Sequence, residues 1–297
     1  MYAPWSIAIF AHNEAPRIGA ALRSIVAAAQ GQPVHITVLA NGCSDRTAAV
    51  AQQFAQACSA ASIRVFEIPL GDKANAWNVY VHEVCAGQAS DAVHMHVFTD
   101  GDLWMEKGAL VALAAAFAQH PNANAVGALP TTGRDKDAWC QRMQRDGTLA
   151  GCLYALRGDF VYRVRQRGIR LPCGLIGEDW LVSELAGNDL QGLSTLPDRL
   201  RHVVFAPDAG FAFRSLAPLS WADQKIYLRR LWRYALRSVQ FEMLLGLLQN
   251  QSPEALPRDI EEVYRYGPLP SRLKWVGRHS LWRTLAVRHV RTIRYRT

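Results

Sequence analysis

In HMHVFTDGDLW an apolar run stops at Asp100 and Asp102, with only Gly101 between them. Two carboxylates one residue apart repel unless a cation or strong donors compensate them, and hard oxygen ligands of this kind suit Mg²⁺ or Mn²⁺. A solvated polar turn has the same spacing, and the glycine permits close approach of backbone to a ligand. A second acidic pair, Glu178-Asp179, stands in LIGEDWLVSEL, after Gly177 and at the start of an apolar helical pattern. There it reads either as negative charge favoured by a helix N-terminus or as a catalytic base delivered by the helix start. Arg229, Arg230 and Arg233 cluster in YLRRLWRYALRS. Arg229 and Arg233 share a helix face and could clamp phosphate oxygens through forked donors, or form a solvated basic face beside Lys225 and Arg237. His94 and His96 alternate onto one side of a strand with nothing nearby to complete a metal site, which predicts a structural role.

The elements that must position these groups alternate. Apolar β-like runs at residues 6–11, 35–40, 63–68 and 92–99 are separated by Ala-rich helical patterns at 16–29, 44–58, 75–86 and 107–119. This predicts parallel strands covered by helices, a Rossmann-like arrangement whose ligands sit at the carboxyl ends of the strands. Asp100 and Asp102 stand at such an end. Asn41-Gly42 turns out of the second strand, and Ser44 or Asp45 is placed to cap the next helix. Beyond residue 124 the pattern is mixed: short strands at 125–129, 203–206 and 210–213, helices at 137–150 and 178–185, then a long helical stretch at 219–248. Residues 249–257 form the best linker candidate.

Half of the composition is apolar, enough for a sizeable core in 297 residues. The net charge of +8 does not predict nucleic-acid binding, because it is local. Residues 271–297 hold eight basic side chains (Arg272, Lys274, Arg278, Arg283, Arg288, Arg291, Arg294 and Arg296) and no acidic one, so residues 1–270 are balanced. In that tail Trp282, Leu285, Ala286, Val290 and Ile293 share a helical face. The pattern suits an anionic membrane surface, or a helix packed on its own domain with a solvated arginine face. The six cysteines show no CxxC pair, no secretory segment opens the chain, and no apolar run approaches a membrane span. The expectation is a cytoplasmic protein, peripheral on the inner face of the membrane. There is no GxGxxG after the first strand, no Walker loop, no GxSxG and no HExxH, which removes four common enzyme classes.

In order along the chain, SIAIFAHNEAPRIGAALRSI, VLANGCSDRTAAVA, GDKANAWN, VFTDGDL and GEDWLVSEL resemble the five motifs of the family 2 glycosyltransferases of GT-A fold. The resemblance covers about residues 1–235. It implies an α/β GT-A fold, a Rossmann-like mixed sheet flanked by helices, with residues 1–217 as the catalytic domain and 218–297 as a helical C-terminal extension with a basic amphipathic tail. It implies a nucleotide-sugar donor across the strand ends and Mn²⁺ or Mg²⁺ as cofactor. Asp102 would hold the metal, with Asp100 near the ribose or a metal-bound water, and Asp179 would be the general base of an inverting single displacement. His12, Asn13, Glu14, Asn41 and Lys73 match positions lining the nucleotide pocket, and Glu178 belongs to the Glu-Asp motif. The paired acids usual at the end of the second strand are Ala40-Asn41 here, so the resemblance leaves the base of the nucleotide undefined. RRLWRY only approximates the Gln-x-x-Arg-Trp motif of processive members; Arg229, Arg230 and Arg233 would instead bind diphosphate or an anionic acceptor. The basic tail suits a lipid-linked or glycolipid acceptor.

Three other readings compete. A haloacid-dehalogenase-like phosphatase also places Asp-x-Asp after an apolar strand, but it expects Thr or Val where Trp104 stands and usually has the motif near the domain start. A sugar nucleotidyltransferase needs a Gly-rich, Arg-containing loop that AHNEAPRIG does not supply. A catalytically inactive binding protein would have no use for Asp100, Asp102 and Asp179 together.

Overall fold

The computed structural model describes residues 4–87, 93–192, 195–214, 221–249, 251–270 and 280–295. In chain order the elements are β1 (Trp5–Ala11), α1 (Ile18–Ala28), β2 (Val34–Asn41), α2 (Thr47–Ala57), β3 (Ser62–Ile68) and α3 (Lys73–Val79). A π-helical turn (Tyr80–Val84) extends α3, followed by β4 (Met95–Asp100), β5 (Trp104–Met105), α4 (Ala109–Gln119), β6 (Ala125–Pro130), α5 (Lys136–Asp146), β7 (Leu153–Arg157) and α6 (Gly158–Gln166). The remainder is α7 (Glu178–Gly187), α8 (Leu196–His202), β8 (Val203–Ala212), α9 (Trp221–Leu248), α10 (Ile260–Tyr266) and α11 (Ser280–Arg294), with a short 3₁₀ turn at Pro253–Ala255.

The eight strands form one sheet in the order β3-β2-β1-β4-β7-β6-β8-β5. Strands β3, β2, β1 and β4 are parallel, as the alternating pattern predicts. β7 then enters antiparallel between β4 and β6, making the sheet mixed. The two strands expected at 203–206 and 210–213 are one strand, β8, paired with β6 across a register shift between Gly127 and Leu129.

Covered on both faces, β1 is buried throughout, and its side chains divide by the period of two. Ile7 and Ile9 join an apolar cluster with Ile18, Leu22 and Ile25 of α1 and Leu110, Leu113 and Phe117 of α4. Ala8 and Phe10 face the other cluster, with Trp77 of α3, Phe98 of β4, Leu181 and Leu185 of α7, and Val239, Met243 and Leu244 of α9.

That second cluster also takes in Ala286 and Val290 of α11, both fully buried. Two residues of the apolar stripe that suited a membrane surface therefore pack inward, where α9 and α10 cover them. Arg283 reinforces the docking through an ion pair to Glu242 and a 3.1 Å hydrogen bond to Ser238 Oγ. Arg272, Lys274, Arg278 and Arg296 lie outside the described residues. No helix among the described residues is long and apolar enough to cross a membrane. His96 is buried in the core, its Nδ1 2.9 Å from Tyr80 Oη, the structural role its strand position predicts.

Candidate active site

The loops leaving β1, β2 and β3 are tied together. Asn13 adopts φ 57°, the left-handed region that Asn tolerates better than most residues, and its Oδ1 accepts from the backbone N–H of Ser44 at 2.8 Å and Asp45 at 3.3 Å. His12 Nδ1 lies 2.7 Å from the Asn41 carbonyl, so that nitrogen donates. Asn41 is buried, and its side-chain amide donates to the Ala11 carbonyl at 3.0 Å. Its donors hold β1 to β2. Gly42, at φ 59°, lies against Gly71: a Cβ there would come within 2.4 Å of the Gly71 Cα. Asp45 does not cap α2 by the N-cap position, which is Arg46, but its Oδ1 accepts from Thr47 N one residue later. The outcome is a floor of backbone and small polar groups at the strand ends, suited to a flat nucleoside.

Beside this floor the acids converge on one lysine. Asp72 caps α3 by accepting from Asn75 N at 2.7 Å, which makes Lys73 the first helical residue and aims it back over the strand ends. Lys73 Nζ reaches Asp100 Oδ1 at 2.6 Å, Glu178 Oε1 at 2.9 Å and the Gly151 carbonyl at 2.9 Å. It also lies 5.4 Å from the Phe10 ring centroid. Burial alone would lower the Lys73 ammonium, but the Asp100 and Glu178 carboxylates outweigh it and hold it well above the ordinary range. Burial raises the Asp100 carboxyl against the pull of Lys73, with Asp102 and Glu178 pushing the same way.

Asp102 and Glu14 share a second cation. Arg17 Nε is 2.8 Å from Glu14 Oε2, and Arg17 Nη1 is 3.5 Å from Asp102 Oδ2. Burial and the neighbouring Asp102 nevertheless push the Glu14 carboxyl up to about 7, Arg17 opposing. Three acids, Glu14, Asp100 and Asp102, thus feel one another's charge at the end of β1 and β4, and the two cations Lys73 and Arg17 do not neutralise all of it. This excess of hard oxygen donors fits a divalent cation held by Asp102 and Asp100. Among the described residues, no three His, Cys, Asp or Glu side chains are already closed around a metal position. The glycine between the aspartates is also required by the strand behind it. Gly101 N donates to the Phe10 carbonyl at 2.8 Å, and a Cβ would come within 3.0 Å of the Ala11 Cβ, so the glycine lets the chain hug β1.

Glu178 and Asp179 open α7 after Gly177, whose φ of 82° demands glycine and whose Cα lies against the Arg237 side chain, a Cβ there coming within 2.4 Å of Arg237 Cδ. The two acids then part. Glu178 is buried and fixed by Lys73. Asp179 is half-buried and meets only amides, Gly151 N at 2.9 Å and its neighbour Trp180 N at 3.0 Å. Burial first, then the Glu178 charge, raise its carboxyl to about 6, against Arg237, Lys73 and the Gly151 amide. The Gly151 peptide joins the two halves of the site, accepting from Lys73 and donating to Asp179. A helix-start charge and a tuned base are compatible here.

The strand-end residues His12, Asn13, Glu14, Asn41, Lys73, Asp100 and Asp102 therefore form one region with Glu178 and Asp179. Arg229, Arg230 and Arg233 do not join the Lys73 cluster; they are exposed on α9. Sequence reasoning missed Gly151, Arg17 and the approach of Arg237 to Asp179. Arg237 had a signal, its position four residues after Arg233 on one helix. Gly151 had none.

The sequence matches the family described as Glycosyl transferase family 2 over residues 6–174, and no curated protein sequence matches it significantly. Among solved structures the fold is similar to mannosyltransferase PcManGT from Pyrobaculum calidifontis, solved with GDP-Man and Mn²⁺. The TM-score is 0.60 at 14% identity, covering 98% of this chain and 74% of that one. Glucosyl-3-phosphoglycerate synthase from Mycobacterium tuberculosis, solved with Mn²⁺, UDP and phosphoglyceric acid, gives 0.50 at 18% identity over 78% of each chain. TarS 1-349 from S. aureus in complex with UDP gives 0.50 at 14% identity, covering 98% of this chain and 90% of that one. At these identities the likeness is one of fold, and the sequence match stops just before Glu178. With over half of the chain matched and the mixed sheet in place, the protein belongs to glycosyl transferase family 2 and is a glycosyltransferase of GT-A fold.

Proposed function

We propose that the protein moves a sugar from a nucleotide-sugar donor to an acceptor hydroxyl by a metal-dependent, inverting single displacement. Residues 1–217 form the nucleotide-sugar-binding and catalytic domain, and residues 218–297 the C-terminal extension. The observation that carries this reading is the division of labour within the Glu178-Asp179 pair: Lys73 fixes Glu178, while Asp179, raised to about 6, keeps no cation at contact distance. A carboxylate so placed is a competent base near neutral pH. Asp179 takes the proton of the acceptor hydroxyl as that oxygen bonds to the anomeric carbon. The bond from that carbon to the diphosphate oxygen breaks on the opposite side, and the nucleoside diphosphate leaves.

The chain's other residues bind and orient. His12, Asn13 and Asn41 floor the nucleoside site, and Lys73 holds Asp100 and Glu178 in register. Asp102 and Asp100 would hold Mn²⁺ or Mg²⁺, which when bound neutralises the diphosphate as a Lewis acid. PcManGT was solved with GDP-Man and Mn²⁺, which supports the same donor chemistry here. A lipid-linked or glycolipid acceptor, with peripheral membrane association, draws support from the exposed Leu281, Leu285, Arg288 and Arg291 of α11.

A thermal-shift screen of UDP- and GDP-sugars with and without Mn²⁺ tests the reading, because a bound donor stabilises the fold by mass action. The expected result is stabilisation by one nucleotide family that grows with Mn²⁺. No stabilisation by any nucleotide-sugar under either condition would sink it.

A further inference from the structure

Several arginines outside α9 are held by acids or carbonyls. Arg163 pairs with Asp159 and Asp189, Arg167 with Glu254, Arg283 with Glu242, and Arg157 donates to three backbone carbonyls. Four on α9 are not: Arg229, Arg230, Arg233 and Arg237 make no hydrogen bond or ion pair among the described residues. Arg229, Arg233 and Arg237 follow at intervals of four on one helix face, where like charges repel and weaken the helix. What distinguishes this stripe is its place: Arg237 brings its inner end beside the Glu178-Asp179 pair.

Arg237 is the inner end of the stripe. Its Cδ lies against Gly177, the residue before the acid pair, and its charge acts on Asp179. Its Cζ is 5.4 Å from the centroids of both the Tyr234 and Phe241 rings, and Phe241 stacks on Trp180 at 4.1 Å. Rings that take the faces of a guanidinium leave its N–H donors pointing outward in the plane, the geometry that grips a phosphate in two places. These side chains border an open groove of about 570 Å³ on α9. The acid in that groove, Glu242, makes its ion pair with Arg283.

Resting on the glycosyltransfer reading, we propose that this face of α9 is an acceptor subsite for a phosphate group. Arg237 grips the phosphate, Arg233 and Arg229 extend the positive track outward, and the acceptor hydroxyl is thereby delivered to Asp179. The phosphate belongs either to a lipid-linked acceptor or to a free phosphorylated compound; the chemistry of recognition is the same.

The test uses the full chain saturated with Mn²⁺ and whichever of UDP or GDP binds, so that the diphosphate site is filled. Calorimetric titrations compare decyl phosphate below its micelle concentration with decyl glucoside, and glycerol 1-phosphate with glycerol. At least one phosphate is expected to bind at least about tenfold tighter than its uncharged counterpart. That affinity is expected to fall about tenfold or more in Arg237→Gln and in the Arg229→Gln/Arg233→Gln double variant, with Arg237→Lys between. Arg229 and Arg233 are exposed, so the double variant does not put folding at risk. Equal binding of the two phosphates identifies a soluble acceptor, and binding of decyl phosphate alone a lipid-linked one. Phosphates that bind no better than the uncharged probes, or as well in the variants as in the parent, overturn the proposal. Nucleotide binding by the parent chain reports separately on the glycosyltransfer reading: phosphate binding lost with nucleotide binding retained removes only this subsite.

Discussion

At the strand ends Lys73 faces Asp100 at 2.6 Å and Glu178 at 2.9 Å, and Arg17 spans Glu14 and Asp102. On α9 four arginines make no ion pair among the described residues, and only Arg237 has a carboxylate, Asp179, within electrostatic reach. In the first region charges of both signs lie together, partly buried around Lys73 and exposed at Arg17 and Asp102, and the protein itself completes most of the pairing. In the second, positive charge stands exposed along the helix, with Arg237 at the groove. The difference separates two kinds of site: a preorganised pocket whose groups are fixed before a donor arrives, and a track whose partner must come with the ligand. Asp179 stands between them, touched electrostatically by Lys73 from one side and Arg237 from the other.

The largest expected effect breaks the junction itself. Asp179→Asn removes the base but keeps an oxygen for the Gly151 amide, so turnover should fall about 10²–10⁴-fold. Donor affinity, read by titration with Mn²⁺ present, should stay within about twofold; equal loss of binding and turnover would make Asp179 a structural residue. Lys73→Met strikes the paired region. It strands Asp100 and Glu178, both largely buried, and should cost about 3–5 kcal/mol in urea unfolding. Adding Glu178→Gln should return part of that loss, since one of the stranded charges is then gone. No recovery in the double variant would show that the lysine stem, not its charge, carries the stability. The smallest effect sharpens the contrast through salt. Raising the ionic strength from about 0.05 to 0.5 M should weaken phosphate binding on the exposed α9 track several-fold, while the stability difference between Lys73→Met and the parent moves by less than about 1 kcal/mol. Equal salt sensitivity would erase the distinction between the two regions.

Much of the donor side was legible in the residues because its signals are local. The fully buried β1 reads as one apolar run, the helices show their period, and each strand-end motif lies next to the strand that carries it. What was not legible depends on contacts across long sequence separations. Nothing in LYALR announces that it will enter antiparallel as β7 between β4 and β6, and that insertion is what brings Gly151 to Lys73, 78 residues away. The tail shows the same limit in reverse. Its apolar stripe was correct as a pattern, but a pattern does not say what covers it, and α9 and α10 cover Ala286 and Val290. Next to the two aspartates Gly101 reads as room for a ligand, and only the folded chain reveals the further constraint from β1 behind it. Arg237 was read as part of a solvated face, and only the packing of Gly177 against α9 reveals which end of that face meets the site.

The pH dependence of kcat/KM for donor hydrolysis, with water as acceptor, tests the central claim most directly. A base whose carboxyl is raised to about 6 is ionised above that pH and lost below it. The rate should therefore fall tenfold per unit as the pH drops below about 6, and lose that limb in Asp179→Asn. The same limb persisting in Asp179→Asn would place the base elsewhere and contradict the account.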